Sequence, residues 1–443
     1  MPAVPAAGAR GRVSPARACA LRVVRRVFEQ GAYADRAFSS EAAGLGPRDR
    51  SLAMALSYGT VQRRATLDYV AAQLVERPLD RLDAPVLAAV RLGLFELLFL
   101  GGRTDYAAVN ETVELAKQAS RRGAGLVNAV LRRGAREGPE MLDRLDDSGA
   151  AGPEAAAILY SVPGWLASQW WDELGDEQAR ALLRVVNEPA ESALRVNTLV
   201  AAVDEVLAAL PVASRSAGVS GCQMPEALVL AGPFDVQGSG LWRSGAIQPQ
   251  SRASMLVSRI LGPEPGERVL DLCAAPGGKT THLAALMGDT GEIVAVERHP
   301  GRAAALERTA ARLRATSVQV EVGDAGAARA DGPFDRVLVD PPCSGLGTLQ
   351  SRPDLRWRVR PEAIGELAGL QARILAAGAQ ALSPGGTLVY SVCTISRAEG
   401  QEVVERFLGE HADFTADGAL QLLPHRDKTD GFFIARLRRQ SGG

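Results

Sequence analysis

Two cysteines stand where a protein could make and break a covalent bond to a substrate. Cys343 follows Asp340-Pro341-Pro342 and precedes Ser344-Gly345, and Cys393 sits in Tyr390-Ser391-Val392-Cys393-Thr394. Each closes a short apolar run that reads as a buried strand, so both thiols are expected at strand ends. A thiolate is the side chain best suited to add reversibly to an electron-poor ring carbon. Spacing alone does not rank the two. The competing reading is that of small buried hydrophobes, the common fate of free cysteine; it is the expected one for Cys273.

Upstream, Asp271-Leu272-Cys273-Ala274-Ala275-Pro276-Gly277-Gly278-Lys279-Thr280 follows a buried strand and opens a helix. Small residues let backbone amides approach a ligand, and the helix N-terminus adds positive potential. The pattern is neither GxGxxG nor the phosphate loop GxxxxGK(S/T), because its first glycine lies too close to Lys279. Glu297 ends the next strand, where doubly wound folds place an acid on a ribose diol. Asp324, in Gly323-Asp324-Ala325 after a third strand, is placed to accept from an adenine amino group. Turn and acids together predict a nucleoside site.

The elements that must position these groups alternate strictly. Strands are expected at 268–272, 292–297, 318–322, 336–340 and 387–391, with helices between them and a late strand at 432–437. That order implies a parallel sheet with helices on both faces, a Rossmann-like α/β domain over 241–443. Reaction chemistry then belongs at the C-terminal edge, where Asp340, Cys343 and Cys393 all fall. Before it, residues 16–137 show apolar positions at helical spacing, as at Val86, Val90, Leu94, Leu97 and Leu98, and read as an all-α bundle. Pro47 and Pro85 sit where helices begin. Residues 1–15 are expected as a flexible tail, 138–160 as a linker and 161–240 as a small α+β connecting module with an RNA-binding role. The architecture is therefore multi-domain.

Composition narrows the class further. A chain of 443 residues that is 47% hydrophobic can build two or three cores. The net charge of −1 means that no global basicity marks a nucleic-acid partner. Five cysteines without a CxxC pair, with four histidines, favour neither a disulfide framework nor a metal site, and a reducing cytoplasm is expected. The most apolar run, 92–100, is too short to span a membrane and carries Glu96, so no membrane association is expected.

An Asp-Pro-Pro followed by an aromatic residue would suit methylation of an exocyclic amine; here Cys343 takes that place. Cytosine C5 is not nucleophilic until something adds to C6 and makes the ring an enamine, which a cysteine thiolate can do. At this point the chain resembles the RNA cytosine-C5 methyltransferases of the RsmB/NOP type. The shared residues are the 271–280 turn, Glu297, Gly323-Asp324-Ala325, Asp340 to Gly345, the Arg352-Pro353-Asp354 and Arg356-Trp357 pair of segments, the Cys393 segment and Asp430-Gly431-Phe432-Phe433. The resemblance extends to 56–62, 90–100, 109–116 and 126–133, which look like a NusB-type RNA-binding domain, and to Leu194–Leu199. It implies S-adenosylmethionine as cofactor, held by Cys273, Ala274, Ala275, Pro276, Gly277, Gly278, Lys279, Glu297, Asp324 and Asp340. It implies Cys393 as nucleophile and Cys343 as the residue assisting release, with Asp340 at the cytosine N3 edge and Lys279 near the target base. The implied partner is 16S rRNA, and a monomer is expected. The same reaction on tRNA or 23S rRNA, methylation of DNA and a noncatalytic RNA-binding factor are the alternatives.

Two arginine groups are candidate RNA contacts. Arg352, Arg356, Arg358 and Arg360 surround Trp357 just past the Cys343 segment, a pattern suited to phosphate contact and base stacking. Arg121, Arg122, Arg132, Arg133 and Arg136 would form a basic edge on the helical domain.

Overall fold

The computed structural model describes residues 13–100, 105–119, 123–145, 152–329 and 331–441. The chain divides into two compact units, Met1–Asn187 with Arg352–Arg358, and Glu188–Ser351 with Val359–Gly443. Arg121 and Arg122, like most of the expected N-terminal tail, lie outside the described residues.

The first unit is helical. Helices Pro15–Gln30, Pro47–Gln62 and Ala84–Phe99 each carry proline in the first turn, where a missing N–H costs nothing. With Arg64–Leu74, Asp105–Ala119 and Ala124–Asp143 they bury Val24, Leu67, Val90, Leu94 and Leu131 in one core. Glu96 is buried there with its charge matched. Arg17 donates through Nε to its Oε2 at 2.9 Å and through Nη1 to Glu111 at 2.8 Å. The expected linker begins as helix. Ala124–Asp143 continues through Pro139 because Met141 and Leu142 pack onto the core, and Pro153–Leu159 adds about two further turns. The tryptophan-bearing helix Gly164–Leu174, expected with the α+β module, belongs to this unit and buries Trp170 completely.

The second unit holds two sheets. Strands β1 (Ala193–Val196), β2 (Ser214–Ser216), β3 (Ala227–Leu230) and β4 (Ile247–Pro249) form an antiparallel sheet in the order β2-β3-β1-β4. The larger sheet contains β5 (Arg268–Leu272), β6 (Glu292–Glu297), β7 (Val318–Val322), β8 (Phe334–Val339), β9 (Leu382–Val392), β10 (Phe414–Leu422) and β11 (Phe432–Arg439). Its order is β10-β11-β9-β8-β5-β6-β7, parallel from β7 through β9 and antiparallel at β11 and β10. The chain runs outward through β6 and β7, then returns to place β8 on the other side of β5. This reversal opens a crevice at the C-terminal ends of β5 and β8. Strand β10, which the sequence reading lacks, is mostly exposed along Thr415–Ala419 and so shows no apolar run.

Candidate active site

The turn after β5 is shaped by conformations few residues tolerate. Cys273 has φ +66° and Gly277 φ +98°. A Cβ on Gly277 would lie 2.4 Å from Leu306 Cδ1, so both backbone conformation and space demand glycine. The turn feeds helix Gly278–Leu286, whose first residues sit under the crevice. Cys273, Glu297, Asp324 and Pro342 line one cavity with Leu370 and Ile374 of helix Pro361–Ala381. Glu297 is almost fully buried and Asp324 exposed, and both carboxylates line the cavity beside the apolar Leu370 and Ile374. That arrangement fits a nucleoside: a flat apolar base between aliphatic side chains, with acceptors for hydroxyl and amino groups. Arg302, absent from the sequence reading, donates to the Ala275 carbonyl at 2.7 Å and stands 3.5 Å from Glu297. Burial, with Asp340, Asp271 and Glu297 nearby, pushes the Cys273 thiol up to about 12, so it stays protonated.

Asp340, Cys343 and Cys393 converge at the ends of β8 and β9, and Lys279 reaches them from the helix after β5. Lys279 Nζ donates to Asp340 Oδ2 at 2.6 Å, and Ser391 Oγ donates to Asp340 Oδ1 at 2.9 Å. Burial pulls the lysine down, but the charge and hydrogen bond of Asp340 outweigh it and hold it above its ordinary value. The Sγ atoms of Cys343 and Cys393 lie 3.2 Å apart, both half-buried. The hydrogen bond from Cys343 lowers Cys393, with the Lys279 charge helping; as donor, Cys343 is pushed well above the ordinary thiol range. One thiol of the pair is thereby readied as the thiolate.

Close backbone contacts hold this arrangement. Gly347 N donates to the Cys393 carbonyl at 3.1 Å, and Gly431 N to the Gly347 carbonyl at 2.8 Å. A Cβ on Gly347 would lie 1.9 Å from the Gly431 carbonyl oxygen, so the two loops can meet only without a side chain there. Arg195 of β1 donates to the Gly278 carbonyl at 2.6 Å and to Thr281 Oγ1 at 2.9 Å, tying the smaller sheet to the helix that carries Lys279. Glu399, fully buried, accepts from Ser344 and Thr394, the neighbours of the two cysteines. Arg195 lies in the 194–199 segment that the resemblance covers, though nothing there assigns it a partner, and Glu399 stands in no pattern the sequence singles out. Their roles depend on partners far along the chain.

The arginine segment divides. Arg352 and Arg360 are exposed. Arg356 is completely buried in the helical unit, donating to the carbonyls of Ser161 and Val186 at 3.0 Å and to Asn187 Oδ1 at 2.9 Å. Trp357 Nε1 donates to the Val61 carbonyl at 2.7 Å, and Arg358 lies over the Tyr33 ring while bonding the Gly31 carbonyl. Arg356, expected as a phosphate contact, is therefore a packing residue, because its guanidinium is consumed by helix-end carbonyls and closed to solvent. Arg132, Arg133 and Arg136 lie on helix Ala124–Asp143, where Arg133 pairs with Glu137 at 2.9 Å.

A family model described as 16S rRNA methyltransferase RsmB/F matches residues 258–438. The NusB family model matches residues 14–136, and an RsmF/B-like ferredoxin-like domain model matches 162–237. A probable ribosomal RNA small subunit methyltransferase B of Synechocystis sp. PCC 6803 is 36% identical, covering 96% of this chain and 99% of its own length. Its counterpart in Bacillus subtilis strain 168 is 34% identical over 95% and 98%. Among solved structures, the crystal structure of PH0851 matches with a TM-score of 0.79 at 28% identity, covering 97% of this chain and all of that one. A methyltransferase homologue from Pyrococcus horikoshii matches with a TM-score of 0.58 at 27% identity over 65% of this chain and 98% of its own.

Proposed function

The chain belongs to the family of ribosomal RNA small subunit methyltransferases B, and on that premise we propose that it methylates C5 of a cytosine in 16S rRNA with Cys393 as nucleophile. The observation that carries this reading is the unequal thiol pair at the crevice, 3.2 Å apart beside Lys279 and Asp340.

S-adenosylmethionine, when bound, supplies an electrophilic methyl group. The residues that would hold it are the turn Cys273–Gly278, with Glu297 accepting from the ribose hydroxyls and Asp324 from the adenine amino group. The Cys393 thiolate forms a bond to cytosine C6, and the electron pair of the C5–C6 double bond moves onto C5 and the ring. Asp340 faces the N3 edge and supports its protonation, with the Lys279 ammonium behind it. C5 would then form its bond to the methyl carbon as the bond from that carbon to the cofactor's sulfonium sulfur breaks, leaving S-adenosylhomocysteine. Loss of the C5 proton to a base restores the double bond and expels the Cys393 thiolate, a release that Cys343 assists. A base in structured RNA must leave its stack to meet a thiolate at the ring face.

No described helix is long and apolar enough to cross a membrane, and no described cluster of His, Cys, Asp or Glu could hold a metal ion. The test is a map of 5-methylcytosine in 16S rRNA, 23S rRNA and tRNA from a strain lacking the gene, complemented with wild type or Cys393→Ala. Loss of one 16S position, restored only by wild type, is expected. Intact 16S methylation in the deletion strain would overturn the proposal.

A further inference from the structure

Glu399 lies in the loop between β9 and helix Gln401–Glu410 and is completely buried. Its Oε1 accepts from the Ser344 backbone N–H at 2.7 Å and from Gln371 Nε2 at 3.1 Å. Its Oε2 accepts from Ser344 Oγ at 2.5 Å and from Thr394 Oγ1 at 3.2 Å. Ser344 and Thr394 directly follow Cys343 and Cys393, and their hydroxyl oxygens lie 2.9 Å apart. The surroundings are tied in as well: Gln371 Nε2 donates to the Pro342 carbonyl at 3.0 Å, and the Tyr390 hydroxyl to the Glu399 carbonyl at 2.6 Å. A buried carboxylate is costly unless donors surround it, and here the donors come from both thiol-bearing loops.

We propose that Glu399 is a positioning residue for the methyl transfer, its carboxylate clamping the two loops so that the Sγ atoms of Cys343 and Cys393 stay within hydrogen-bond reach of each other. The proposal rests on the nucleophile assignment above but concerns the thiol pair itself. It can therefore be read without turnover.

Cys393 is faced by Cys343 from the end of β8, by Lys279 from helix Gly278–Leu286, by Asp340 and by Asp430, all left in place by Glu399→Gln; the variant also removes the Glu399 charge that raises Cys343, which by itself would lower that thiol and so opposes the expected shift. The variant keeps the shape but replaces the carboxylate by a neutral amide, whose NH2 must be met by the Ser344 and Thr394 hydroxyls acting as acceptors, so the charge-assisted bonds that hold the two loops are lost. The measurement is the rate of Cys393 carbamidomethylation by iodoacetamide against pH, read by peptide mass spectrometry, alongside kcat, KM for S-adenosylmethionine and the melting temperature. In Glu399→Gln the alkylation midpoint is expected to rise by about one pH unit and kcat to fall about tenfold, with KM for the cofactor within about twofold. Thr394→Val, which removes one donor, should move the midpoint the same way by less. Unchanged midpoints in the folded variants overturn the proposal, as does a fall in kcat that tracks only a lowered melting temperature. Should Glu399→Gln fail to fold, Thr394→Val and Ser344→Ala carry the same test with the same outcomes. A wild type that makes no methylcytosine sinks the functional reading and leaves the midpoint comparison standing.

Discussion

The Sγ atoms of Cys343 and Cys393 stand 3.2 Å apart across the ends of two neighbouring parallel strands, and the hydrogen bond between them makes the thiols unequal. A thiolate that accepts a hydrogen bond is stabilised, and the thiol that donates it holds its proton more tightly. The inequality gives the pair a direction, from which the first expectation comes.

Cys343→Ala, incubated with 16S rRNA and S-adenosylmethionine, should accumulate a covalent protein–RNA species on denaturing gels, because attachment survives while release is impaired. Cys393→Ala should form none and should not methylate. Normal methylation by Cys393→Ala would show that the nucleophile is elsewhere.

Lys279 pairs with Asp340 at 2.6 Å and contributes to the lowering of Cys393. Lys279→Met should therefore raise the pH at which Cys393 becomes reactive and cut kcat by about 100-fold. A pH–rate profile checks both effects. A variant with wild-type turnover would remove Lys279 from the chemistry.

Asp271 is buried near the end of β5, where desolvation pushes its pKa up to about 7 against the Thr280 hydroxyl that donates at 2.6 Å. The folded state thus binds this proton more tightly than the unfolded chain. The resulting stability is complete below the ordinary aspartate range and is lost as pH rises towards 7, by about 1.4 kcal/mol per unit at its steepest. Asp271→Asn abolishes the dependence. Its melting temperature relative to wild type should climb between pH 4 and pH 7, and parallel curves would refute the assignment.

Arg356 and the exposed arginines should separate cleanly. Arg356→Ala leaves helix-end carbonyls unpaired in the helical unit and should cost about 3 kcal/mol by urea unfolding. Arg352→Ala and Arg360→Ala should leave stability unchanged but weaken RNA binding, each reducing the salt dependence by about one unit of slope. Salt-independent losses would place the RNA elsewhere.

Gly277→Ala places a methyl group 2.4 Å from Leu306 and forces φ +98° on a residue that resists it. The turn must shift, and S-adenosylmethionine should bind at least about tenfold more weakly by calorimetry. Wild-type affinity would mean that the turn does not meet the cofactor.

Much of this protein was legible in its residues. The runs 268–272, 292–297 and 318–322 are β5, β6 and β7 to the residue: β5 and β6 as buried apolar stretches bounded by turns, β7 as an alternating strand at the sheet edge. β10 escaped because its exposed edge carries no such run. Residues 138–160 read as a linker, yet helix Ala124–Asp143 runs on through Pro139, since packing at Met141 outweighs local preference.

Where the strands of the larger sheet fall, β10 excepted, the glycine turn at 271–280 and two thiols at one sheet edge were all legible in the chain, since these follow from periodicity and from residues close together in sequence. Only the tertiary structure decided which residues meet. Cys343 and Cys393 are 50 positions apart, Lys279 and Asp340 61, and Arg356 and Ser161 195. Whether a thiol donates or accepts, or a guanidinium meets carbonyls or solvent, depends on burial and direction in space. No spacing along a chain encodes those until the sheet has brought its strands side by side.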